Sequence, residues 1–128
     1  MITSLYAIPI AVLFLILSAR VITYRRANQL GLGDHGDKSL TKRMRAQANC
    51  AEYAPFALLL MVLCESGGAS AWVMHLIGLL LLVGRVAHGY GFSASPPRMT
   101  LRVMGTLLTM ASYGASIVTL AVLAVMGA

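Results

Sequence analysis

Four apolar runs, at about Ile2 to Tyr24, Thr41 to Glu65, Ala71 to Tyr90 and Thr100 to Val125, take up nearly the whole of a 128-residue chain. Each is long enough to cross a bilayer, whose hydrocarbon core needs about 20 helical residues. Backbone in lipid must satisfy its own hydrogen bonds, so the runs are read as α-helices, and the short segments joining them make consecutive helices antiparallel neighbours. The expected fold is all-α: an integral membrane four-helix bundle, with residues 1–128 as one domain. A hydrophobic share of 59% against 11% charged residues excludes a soluble domain of ordinary composition. No basic stretch precedes the first run, which is therefore read as a true span rather than a cleaved leader. Pro9 within it is a tolerated transmembrane proline.

The charges are sorted by side. All ten Lys and Arg residues lie in the first loop, in the third loop or at the helix ends beside them, and the net charge is +6. The bias of cationic loops toward the cytoplasm puts those loops there, with both termini and the turn after Glu65 on the other side. The basic residues have no aromatic interleaving, which argues against nucleic acid as a partner. Asp34, His35 and Asp37 in the glycine-rich first loop lack metal-site spacing, so no metal is expected. His75, beside Trp72, reads as a hydrogen-bonded interfacial residue. Cys50 and Cys64 are about 21 Å apart along one helix and do not bridge.

One polar stripe interrupts the second run. In RAQANCAEYAP, Arg45, Asn49, Glu52 and Tyr53 fall at about 0°, 40°, 340° and 80° on a helical wheel. A carboxylate followed by the apolar run Ala57 to Cys64 is costly against lipid, so Glu52 should face a bundle interior, another subunit or a polar ligand. The alternative is a buried Arg45–Glu52 ion pair that only fixes packing. Pro55 should kink the helix just past Glu52 and open space beside the stripe. A second cluster, Arg85, His88 and Phe92 with Tyr90 on its flank, ends the third helix on the same side of the membrane. Several arginines and one glutamate suit an anionic ligand that also carries an ammonium group, such as a zwitterionic peptide. Gly105, Ala111, Gly114 and Ala115 on the fourth helix suit close helix packing.

The segment RAQANCAEYAPF resembles the signature of the MAPEG superfamily, the membrane-associated proteins in eicosanoid and glutathione metabolism. GRVAHGYGF and VITYRRA are similar to its third-helix and first-helix segments. The resemblance implies a homotrimer with glutathione, as co-substrate, bound between neighbouring subunits near the cytosolic face. It carries a glutathione-binding role onto Arg45, Asn49, Glu52 and Tyr53, with Glu52 taking the amino group and arginines the carboxylates. It does the same for Gln47, although that residue projects away from Arg45, and for Arg25 and Arg85. His88 and Phe92 stand where leukotriene-forming members have tyrosines, and Tyr90 is the substitute hydroxyl. The catalytic, thiolate-stabilising arginine matches Arg102, with Arg98 as the competing assignment.

The implied activity is that of a glutathione S-transferase-like enzyme, with peroxidase chemistry as a variant. It would act on a lipophilic electrophile or hydroperoxide drawn from membrane lipid, in a bacterial inner membrane. Two other classes also fit four short helices and one membrane glutamate: a small proton-coupled multidrug exporter, and a catalytically silent glutathione-binding protein. An exporter of that kind is expected to carry its acid on the first helix, which here has none.

Overall fold

The computed structural model describes residues 1–127. It contains four helices, α1 (Ile2–Ala27), α2 (Lys38–Ser66), α3 (Ala71–Ser93) and α4 (Met99–Gly127), all long and apolar enough to cross a membrane. The protein is a four-helix membrane bundle. α2 and α3 form a central pair, each packed against all the other helices, whereas α1 and α4 lie on opposite flanks and do not pack against each other.

Helix ends differ from the expected ones for local reasons. α2 starts at Lys38, three residues before Thr41, because Asp37 is not a free loop acid but the helix N-cap: its carboxylate accepts the Leu40 N–H at 3.0 Å and the Tyr24 hydroxyl at 2.9 Å. α3 continues through Phe92 to Ser93, and α4 begins at Met99 just after Pro96-Pro97. In the first loop Gly33 and Gly36 hold positive φ, +81° and +68°, which glycine adopts without strain.

The cap makes a pH prediction. The Leu40 N–H and then the Tyr24 hydroxyl hold the Asp37 carboxyl below the usual carboxylate range. A depressed folded-state value means the stabilisation is complete above about pH 4 and is lost as pH falls through the folded value. Asp37→Asn keeps a capping oxygen but not the charge. It should therefore flatten the acid limb of a melting-temperature-versus-pH curve below pH about 4 by lowering the neutral-pH value toward the acid one, with little effect at the acid end.

α2 turns a row of small residues, Ala46, Cys50, Ala54 and Ala57, into the core against Ile10, Leu17, Ile77 and Leu81, continued below by Met61, Cys64 and Met74. Both cysteines are buried and free. Leu5, Ile8, Val12, Leu15, Ile117, Val118 and Val122 point outward, the arrangement a lipid solvent favours and water does not. At the end remote from the basic residues, Glu65 reaches from α2 to the start of α1. There it accepts the Ile2 and Thr3 N–H groups, the latter at 2.9 Å, and the Thr3 hydroxyl at 2.6 Å. The carboxylate thus occupies the electropositive end of α1 and satisfies donors that no residue of α1 caps. His75 behaves as expected, with Nδ1 at 2.7 Å from the Tyr6 hydroxyl, and the Tyr6 ring lies directly over Gly78.

α3 and α4 approach most closely, through glycine. A Cβ on Gly84 would stand 2.9 Å from the Gly105 carbonyl oxygen, and one on Gly91 2.8 Å from Leu101 Cβ. Of the small residues expected to serve packing on α4, Gly105 and Ala115 do so, whereas Ala111 and Gly114 face outward with nothing packed on Gly114. α2 runs unbroken through Pro55. The space beside that proline is an apolar groove of about 320 Å³ shared with Ala7, Ile10, Ala11 and Phe14 of α1, on the far side of the helix from the polar stripe.

Candidate ligand site at the basic end of the bundle

The deepest charge is Arg85, 2% exposed on α3. Its Nε donates to Thr109 Oγ1 of α4 at 2.9 Å, its Nη1 to Asn49 Oδ1 of α2 at 2.6 Å and, more loosely, to the Asn49 carbonyl at 3.4 Å. Its guanidinium carbon stands 5.5 Å from the Tyr53 ring centre. No carboxylate neutralises it among the described residues, where the one ion pair is Arg45–Glu52. One planar fork therefore ties three helices, which a lysine ammonium could not do with the same directions.

Asn49 and Tyr53 thus form the inner edge of the α2 stripe, and Arg45 and Glu52 its outer edge. Arg45 Nη1 and Glu52 Oε1 are 3.9 Å apart with side chains 54% and 55% exposed. The alternative of a buried packing pair is not what the structure contains: the contact is long and open. A pair of this kind adds little stability, on the order of 0.5 kcal/mol in water, and leaves most hydrogen-bonding positions on both groups free for a ligand.

α4 carries Arg102, Thr106, Thr109 and Tyr113 along one side, at spacings of four, three and four. Tyr113 donates to the Tyr53 carbonyl at 2.7 Å and its ring lies 6.0 Å from Phe56. α2 and α4 therefore run in the same direction with a register of 60 residues, and Asn49 and Thr109, joined through Arg85, obey it too. That register sets Arg102 level with Lys42, about 4.5 Å above Arg45 along the bundle. The Arg102 guanidinium stacks 3.9 Å from the Phe92 ring centre and lines a cleft of about 230 Å³ with His88, Met99, Val103 and Thr106. His88 is buried, 5.5 Å from Phe92 ring to ring. Arg98 is exposed at the loop end, where its N–H bonds the Gly91 carbonyl.

The structure gathers Arg45 with Glu52; Asn49, Tyr53 and Arg85 with one another; and His88 with Arg102. It does not bring in three other expected residues. Tyr90 is 57% exposed among Leu82, Val83, Val86 and Leu101 on the apolar outer face, because two residues beyond His88 is about 200° around the helix. Gln47 turns to α1 and donates to Ser18 at 3.2 Å. Arg25 clasps the first loop, donating to the Gly31 carbonyl, to the Gly33 carbonyl at 2.9 Å and to Met44 Sδ at 3.3 Å. Thr109 and Tyr113 were not among the expected residues, although Gly105, Thr109, Ser112 and Ser116 repeat at helical spacing and all are buried. Among the described residues no group of three His, Cys, Asp or Glu side chains is placed to hold a metal.

Fold and site together define a small polytopic membrane protein that collects arginines, one exposed carboxylate and a buried histidine at one end of its bundle. The MAPEG family model matches residues 3–124, and the chain belongs to that family. It is also similar to the inner membrane protein YecN of Escherichia coli K12, 38% identical over 92 residues covering 72% of this chain and 70% of that protein. YecN from the O6:H1 strain CFT073 gives the same figures.

Proposed function

We propose that the protein is a membrane-bound glutathione-dependent transferase that presents the glutathione thiolate to a lipophilic electrophile, or to a hydroperoxide. The supporting observation is the exposed Arg45–Glu52 pair: opposite charges 3.9 Å apart, half open, on the same end of the bundle as the Arg102 cleft. Glutathione has an ammonium group for Glu52, two carboxylates for arginines, and a thiol between them. Asn49 and Tyr53, held by Arg85, fix the floor. Membership of a family named for glutathione metabolism supports this reading over the exporter, as does the position of Glu52 on α2 beside Arg45. Because the pair faces outward, a second copy is expected to close the site, and a homotrimer is the assembly proposed. The inner membrane is the proposed location, by similarity to YecN, with the basic loops on the cytoplasmic side.

The arginine of the cleft supplies the chemistry. A free thiol of pKa about 8.5 is only a few per cent thiolate at neutral pH. A guanidinium near the sulfur favours the charged form, and lowering that pKa by two units is worth about 2.7 kcal/mol. Arginine cannot take the proton itself, so the proton leaves to water.

In an assay of detergent-purified protein with glutathione and an electrophilic aromatic halide, Arg102→Ala is expected to lower turnover about 100-fold. It should also abolish the ultraviolet thiolate signal of bound glutathione, with little change in glutathione affinity. Arg98→Ala should keep both signal and turnover. The reverse pattern would move the activating role to Arg98. Conjugation absent from a protein whose melting point glutathione still raises would identify the silent binder.

A further inference from the structure

Among the described residues, three buried side-chain polar atoms have no hydrogen-bond partner: Nε of Arg20, Nε of Arg43 and Oγ of Ser93. They belong to three helices but to one corner of the bundle. Arg43 stacks over the Tyr24 ring with its guanidinium carbon 4.7 Å from the ring centre, and it is the charged neighbour of Arg20, one turn before Tyr24 on α1. The α1 and α3 chains climb together: Leu13 and Leu17 lie against Gly89, so Arg20, one turn past Leu17, faces the level of Ser93, one turn past Gly89. Lys42 closes the third side, its Nζ donating to the Ala94 carbonyl and the Ser95 hydroxyl, both at 3.1 Å.

Nε of Arg20 and Nε of Arg43 have no hydrogen-bond partner among the described residues, and neither arginine is in the ion pair found there, Arg45–Glu52. The acid nearest Arg43 is Asp37, whose carboxylate is already held by Leu40 and Tyr24. Arg20 and Arg43 lie within range of each other's charge, Asp37 offers Arg43 attraction but no hydrogen bond, and Ser93 stands at the same level. The two Nε donors are thus left without an acceptor, which an oxyanion between them would supply. Phosphate oxygens suit both the charge and the forked donor geometry.

Depth indicates where the phosphate comes from. Arg20 stands 18 residues after Ile2, about 27 Å along α1, close to the far edge of a hydrocarbon core of about 30 Å. That is the level of lipid headgroups, and the leaflet facing a basic protein surface is enriched in anionic lipid wherever such lipid is available. We infer that Arg20, Arg43 and Ser93 form a binding notch for a phosphate group, supplied by the headgroup of an anionic phospholipid. The notch faces α1 and α3, whereas the Arg45–Glu52 pair faces outward, so it is a separate site.

The test uses whole protein in a glycosidic detergent, with phosphatidylglycerol, phosphatidylcholine or inorganic phosphate added. Phosphatidylglycerol should raise the melting midpoint by about 4 °C and remain bound as a mass adduct under native ionisation. Phosphatidylcholine should do neither. Arg20→Gln and Arg43→Gln should each abolish the adduct, and Ser93→Ala should weaken it. Lys38→Gln, which removes the same charge from an exposed position, should leave it intact. Because adduct retention is read on protein that remains folded, a stability loss in the arginine variants does not obscure the result. Retention of the lipid by both arginine variants, or loss of it in Lys38→Gln to the same extent, would reduce the effect to general surface charge and overturn the notch. An equal midpoint rise with inorganic phosphate alone would overturn the lipid assignment. Absence of both shift and adduct in the unmodified protein would overturn the site altogether.

Discussion

Gly105→Ala is expected to lower the melting midpoint by more than about 10 °C. A Cβ there would stand 2.5 Å from the His88 backbone nitrogen, 2.6 Å from the Gly84 carbonyl oxygen and 2.7 Å from His88 Cβ. The first two are backbone atoms of α3 and cannot rotate away. The helices must separate, at a cost on the order of 3 kcal/mol, and separation pulls Thr109, one turn along α4, from Arg85 Nε. Gly114→Ala is the control: nothing lies within 4 Å of its added carbon, and alanine favours helix by up to about 1 kcal/mol over glycine. Thermal denaturation in detergent compares them directly. Equal losses from both changes would mean that the α3–α4 approach within the chain is not the source.

Arg85→Met should be nearly as damaging, because it strands more than it removes. Part-buried Asn49 Oδ1 loses its guanidinium partner, and buried Thr109 Oγ1 loses the donor it accepts from and keeps only its 2.8 Å bond to the Gly105 carbonyl; a buried group left unsatisfied costs about 1–3 kcal/mol. Arg85→Lys should recover only part, since one ammonium cannot reach both oxygens in the same directions. The decisive measurement is a double-mutant cycle. Asn49→Leu alone leaves the guanidinium short of a partner, but placed on Arg85→Met it replaces the stranded amide with an apolar side chain. The double variant should therefore be more stable than the two single losses added together. Simple additivity would show that Asn49 and Arg85 do not act as a pair.

The four helices are legible in the chain because lipid leaves little choice: a run of about 20 apolar residues has no other stable backbone arrangement. Their ends are less legible. The start of α2 depended on recognising that Asp37 is a cap, and one carboxylate among glycines looks the same whether it caps a helix or faces water. The stripe was readable as a stripe, but its two edges have different fates. Asn49 and Tyr53 turn inward to Arg85, while Arg45 and Glu52 stay half exposed. The angular difference is only about 40° to 100°, and a helical wheel does not say which edge meets a neighbouring helix. Tyr90 was a different matter, since its angle from His88 already placed it on the opposite face. Glu65 is the clearest gap: an acid at a helix end and a start of α1 without a cap lie 63 residues apart, and only the folded bundle joins them.

The flank positions of α1 and α4 divide the chain's freedom to change. Since the two do not touch, an altered side chain on one reaches the other only by way of α2 and α3, which behave as the spine of a book with two covers. Paired substitutions on the covers should be close to independent, as expected for sites with no shared partner. A substitution in the spine is shared by several interfaces at once. The outer helices are thus free to drift toward different lipids, neighbours or substrates without renegotiating each other's shape. Arg85, fastened in the spine, is the residue through which any such drift has to remain compatible with the rest.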